Sequence, residues 1–135
     1  MRVNSFIHPV PMDSAIASVD TSYHTDRKHT VALGSFPAGA PFVGKFKQIT
    51  VWVSSIASSA ANMTLKITAD SAGNKILADG EAGAFTIGQT ATTGSVTFVF
   101  DYPIYNATND TVYVWYKVNT GTCTVDADSY LVWEE

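Results

Sequence analysis

The segment "NMTLKITADSAGNK" (residues 62–75) decides how the rest of the chain is read. Met63, Leu65, Ile67 and Ala69 alternate with Thr64, Lys66 and Thr68. That period of two gives a strand one buried face and one wet face. The run ends in Asp70, Gly73 and Asn74, which suit a tight reversal needing positive φ.

Neighbouring segments repeat the pattern. In "FKQITVWVSS" (46–55), Ile49, Val51 and Val53 fall on one face, with Phe46, Gln48, Thr50 and Trp52 on the other. "GSVTFVFDY" (94–102) puts Val96, Phe98 and Phe100 on one side. "DTVYVWYKVNTGTCTVDADSYLVWEE" (110–135) reads as a strand, a turn at Asn119–Gly121 and one or two closing strands. In its first strand Val112, Val114, Tyr116 and Val118 alternate with Tyr113, Trp115 and Lys117. Shorter candidates lie in "VALGSF" (31–36), "KILAD" (75–79) and "AFTI" (84–87), while the Ser-rich "SSIASSAAN" (54–62) favours a loop. About seven to nine evenly spaced short strands predict an all-β fold, an antiparallel two-sheet sandwich of jelly-roll-like type.

The 135 residues allow one domain and one core. Residues 30–135 are expected to form the sandwich and residues 1–29 an extended N-terminal arm. The arm holds all three histidines (His8, His24, His29) and the "HPVP" prolines Pro9 and Pro11, with few large apolar groups. Within it "MDSAIASV" (12–19) suits a turn of helix capped by Asp13. Such an arm is expected to lie along its own domain or along a partner, with Val3, Phe6, Ile7 and Val10 as its apolar anchors and Arg27 and Lys28 as polar clamps.

The single cysteine, Cys123, excludes an internal disulfide. No signal-like segment opens the chain and no apolar run is long enough for a membrane-spanning helix, so no membrane partner is expected. A net charge of −4 argues against nucleic acid. Charge is uneven along the chain: residues 1–75 carry seven Lys and Arg against four Asp, and residues 76–135 carry Lys117 against eight acids. Such asymmetry fits either ordinary surface scatter or contacts between copies, positive end to negative face.

No catalytic constellation stands out, so no enzyme and no cofactor are expected. His24 and His29, with Asp26 between them in "HTDRKH", would diverge on an extended arm rather than converge on a metal. Cys123 reads as a buried, inert thiol. Asp126 and Asp128 in "VDADSY", like Asp70 and Asn74, read first as turn formers and second as oxygen ligands for calcium. Asn62, Asn106 and Asn109 match the glycosylation pattern by accident of a Thr-rich sequence. Tyr113 and Trp115 share the face opposite the valine stripe. They form either a sugar-stacking platform beside Asp126 and Asp128 or a second buried face, and burial is the favoured reading.

The Thr/Ser/Gly-rich sandwich, with "LKITADSAGNKILADG" (65–80) followed by "VYVWYKVNTGTCTVDADSYLVWEE" (112–135), resembles small virion structural proteins of tailed bacteriophages. These include capsid decoration (cement) proteins and β-sandwich fibre-associated proteins. The resemblance implies a homo-oligomer, commonly a trimer, attached to the major capsid protein or another virion protein. The alternative expectation is a glycan- or receptor-binding module of a fibre or tail.

Overall fold

The computed structural model describes residues 7–12, 14–32, 42–58, 62–79, 83–87, 92–106 and 111–134. Residues 7, 8, 42–45, 78, 79, 83, 84, 87 and 101–106 are described by their backbone alone. The described strands are β1 (Ile7–Pro11), β2 (Ile16–Val19), β3 (Lys28–Ala32), β4 (Phe42–Ser54), β5 (Asn62–Thr68) and β6 (Ile76–Asp79). They continue as β7 (Gly83–Ala84), β8 (Thr86–Ile87), β9 (Gly94–Asn106), β10 (Thr111–Val118), β11 (Cys123–Val125) and β12 (Tyr130–Glu134). Every pairing between them is antiparallel.

Several of these strands are pieces of one interrupted lane. β11 and β12 both pair with the same side of β4, end to end, and β2 and β1 pair with them in turn. β9 takes the other side of β4, with β8 beside it. The second sheet runs β3–β10–β5, with β6 and β7 sharing the far edge of β5. The expected two-sheet all-β sandwich is therefore what the chain forms. Its pairings nest: the first lane meets the last, β3 meets β10, β4 meets β9, and β5 meets β6 and β7.

The core lies between the sheets. Met63, Leu65 and Ile67 from β5 and Val112, Val114, Tyr116 and Val118 from β10 point inward, as their alternation predicts. They meet Ile49, Val51 and Val53 from β4 with Val96, Phe98 and Phe100 from β9. Phe46 departs from expectation: it is fully buried on the same face as Ile49. A bulge explains it, because Trp133 faces Phe46 while Val132 faces Gln48, leaving Lys47 as an extra residue. One inserted residue reverses the facing of everything before it. The same device acts in β2, where Val19 and Ile16 oppose Cys123 and Val125 across an irregular register. Ser18 takes a φ of 59° there, and Ile16 and Val19 both turn inward.

The N-terminal segment also differs from expectation. From Ile7 onward it runs along its own domain, as two strands of the sandwich. β1 and β2 form the outer lane of the first sheet, and the boundary expected at residues 29 and 30 falls inside β3. Residues 16–19 are a strand, not a helical turn; the proposed cap, Asp13, lies outside the described residues. Met12, Ile16 and Val19 are core residues, and burying a side chain of that size contributes about 1.5–3 kcal/mol. A segment sparse in apolar groups still docks when Met12, Ile16 and Val19 are placed inward.

Candidate functional site

His29 locks the N-terminal lane to the sandwich. It is 1 % exposed, its Nε2 donates to the Ser14 carbonyl at 2.7 Å, and its Nδ1 accepts the Tyr116 hydroxyl at 2.9 Å. The ring stands edge-on to Tyr116, with centroids 5.4 Å apart. Burial pushes the His29 pKa down, partly opposed by the Ser14 bond, and burial pushes the Tyr116 phenol up. His24 is elsewhere, with Nε2 2.8 Å from Asp20 Oδ1. Asp20 is held below the usual carboxylate range, first by the Ser22 backbone N–H and then by His24. Among the described residues no three His, Cys, Asp or Glu side chains gather as a metal-holding group.

The expected arm contacts are turned inward on the chain itself. Arg27 donates from Nε to the Ser18 carbonyl at 3.1 Å and pairs with Asp26. Lys28 donates to the Thr25 carbonyl at 2.7 Å and sits 4.8 Å from the Trp115 ring centroid. Val10 packs against the core, and Ile7 lies in β1 opposite Glu134. Val3 and Phe6 lie outside the described residues.

Trp115 is 2 % exposed and so offers no ring to a sugar. Its Nε1 donates to Thr68 Oγ1 at 2.9 Å, and the ammonium groups of Lys28 and Lys66 each lie 4.8 Å from its ring centroid. Gly73, at φ 84°, covers it so closely that a Cβ there would meet Trp115 Cζ2 at 2.8 Å. The turn is set by Asp70, which accepts the Asn74 and Lys75 N–H groups at 3.0 and 2.8 Å. Tyr113 is half-buried on the same face, with Lys28 5.9 Å from its centroid. Tyr23, from the loop after β2, lies 4.6 Å from Lys66 and 4.8 Å from Lys117. The outer face of the second sheet is thus a layer of lysines, rings and turns, which explains aromatic residues on both sides of β10.

The first sheet presents a different outer face. Trp52 is 44 % exposed and Val99 79 % exposed, with Thr50 and Thr97 hydroxyls 3.4 Å apart between them. Trp52 lines an open cleft of about 330 Å³ with Val53, Thr86, Thr93, Gly94, Ser95, Asp126 and Asp128. Asp126 and Asp128 reach it from the turn between β11 and β12. Asp126 N–H donates to the Trp52 carbonyl at 2.8 Å, and Ser129 Oγ accepts the Trp52 N–H at 3.0 Å. Ser129 is fully buried, and its own carbonyl accepts the Met12 N–H at 2.9 Å. Ser54 donates its hydroxyl to Asp126 Oδ1 at 2.8 Å. Gly94 forms the opposite wall, where a Cβ would meet the Thr86 carbonyl at 2.7 Å.

Asp126 and Asp128 are therefore brought together, but with Trp52 rather than with Tyr113 and Trp115. Trp52 was legible as an outward residue of β4; its meeting with residues 126–128 depends on the β11–β4 register. Cys123 is buried, and burial, then the nearby Asp126 charge, pushes its thiol up to about 12. Such a thiol is a poor nucleophile at neutral pH. No protein-family profile and no curated protein matches the chain.

Proposed function

We propose that this chain is a structural subunit of a virion, present in many copies, that acts by surface contact with the major capsid protein or another virion protein rather than by catalysis. The observation that carries this reading is the nested pairing of the lanes, first with last and so on inward, which is how a jelly roll is wound. Jelly rolls serve viral capsids and lectins, so this support is fold-level analogy. It joins the sequence resemblance to small virion proteins of tailed bacteriophages.

The contact surface in this reading is the outer face of the first sheet. Val10, Arg27 and Lys28 are engaged within the subunit, whereas Val99, outside the cleft that Trp52 lines, stands exposed. A trimer is the favoured assembly. Immunogold labelling of particles from the source, with antibody against this chain, tests the proposal. Gold on intact particles supports it; chain found solely in the particle-free fraction, at the mass of a monomer, refutes it.

A further inference from the structure

We infer that the cleft between Trp52 and the Asp126–Ser129 turn binds a neutral pyranose unit of a glycan. The volume, about 330 Å³, lies at the small end of the range for small-molecule sites and suits one sugar ring with part of its neighbour. The indole gives the flat apolar surface that the C–H face of a pyranose requires, and at 44 % exposure it is available. Asp126, Asp128 and Ser95 supply acceptors and a hydroxyl around the rim, matching a ligand whose edge is all hydroxyl groups.

Rigidity is the further argument. The Trp52 N–H and carbonyl are both bonded to the turn that carries the carboxylates, and Ser54 fixes one oxygen of Asp126. The backbone under the platform and the Asp126 carboxylate therefore keep one spacing without a ligand, which reduces what binding has to order. The chemistry also selects. Two neighbouring carboxylates repel sialic acid and uronic acids, leaving uncharged hexoses as the class that fits.

This inference does not depend on the virion reading, and the binding test leaves particle labelling out, so each can fail alone. The full chain is titrated by calorimetry and tryptophan fluorescence with lactose, maltose, cellobiose and mannobiose, and with sialyllactose as the anionic counterpart. Saturable binding of a neutral disaccharide is expected. It should weaken about tenfold or more in Trp52→Ala and in Asp128→Asn, and be partly kept in Trp52→Tyr. Circular dichroism confirms that each variant is folded. The inference is overturned by no saturable binding of any neutral disaccharide at tens of millimolar, by unchanged affinity in folded Trp52→Ala, or by tighter binding of sialyllactose.

Discussion

Replacing His29 with alanine tests whether the N-terminal lane is integral to the domain. The side chain is 1 % exposed and carries two hydrogen bonds, to the Ser14 carbonyl and from the fully buried Tyr116 hydroxyl. Its removal leaves a buried phenol without its acceptor, at a cost of about 1–3 kcal/mol, and a cavity costing about 2 kcal/mol more. The expected loss is about 3–5 kcal/mol, a large part of the stability of an ordinary domain. That corresponds to a fall in Tm of about 10–20 °C. Urea melts at several pH values give a second readout. Because burial lowers the pKa of His29 from its ordinary 6.5, the unfolded chain takes up this proton before the native state does. The contribution is complete above 6.5 and is lost as pH falls from there towards the folded value. The wild type should therefore weaken more than His29→Ala over that interval. Asp20 and Asp70, whose pKa values are also lowered, act in a separate window, losing their contribution as pH falls below 3.8. A His29→Ala protein within about 1 kcal/mol of wild type, with the same pH slope, would refute the packing described for residues 14–29.

Deleting residues 1–19 removes β1, β2 and the buried Met12, Ile16 and Val19, and should abolish the cooperative urea transition; a truncated chain with native near-UV circular dichroism would contradict the sheet order. Gly73→Ala should cost about 1–3 kcal/mol in urea melts, because φ is 84° and the new methyl would press on Trp115. Ser129→Ala should cost about 1–2 kcal/mol by loosening the turn from Trp52, with a matching rise in hydrogen exchange at the Trp52 amide. Val99→Glu, at a position 79 % exposed, should leave stability within about 0.5 kcal/mol yet shift any self-association towards monomer in sedimentation velocity.

The strands most legible in the sequence were those whose alternation is uninterrupted. β5 and β10 could be read residue by residue, because each inward valine, leucine or isoleucine is followed by an outward Thr, Lys or aromatic residue. β4 was read correctly only as far back as Gln48: Lys47 breaks the count, and no local signal marks a bulge whose cause lies in two neighbouring strands. The N-terminal lane was obscured for a related reason. Its inward residues, Met12, Ile16 and Val19, are spaced four and three apart, the period of a helix rather than of a strand, because the break between β1 and β2 and the bulge at Ser18 reset the facing twice. Two members of the cleft, Asp126 and Asp128, were visible in "VDADSY"; Trp52 joined them through a pairing between residues about 70 positions apart, which periodicity does not report.

The pairing of the first lane with the last also governs when the protein can fold. Ile7 faces Glu134, so β1 has no partner until β12, more than a hundred residues later, has left the ribosome. Until then β4 lacks β11 and β12 along one edge, with the apolar side chains of Phe46 and Ile49 beside it. Closure of such distant pairings is slow, and unpaired strand edges invite association during the wait. Sealing of the sandwich thus waits for β12 to emerge, and a chain cut short of it is held from the native state by topology alone.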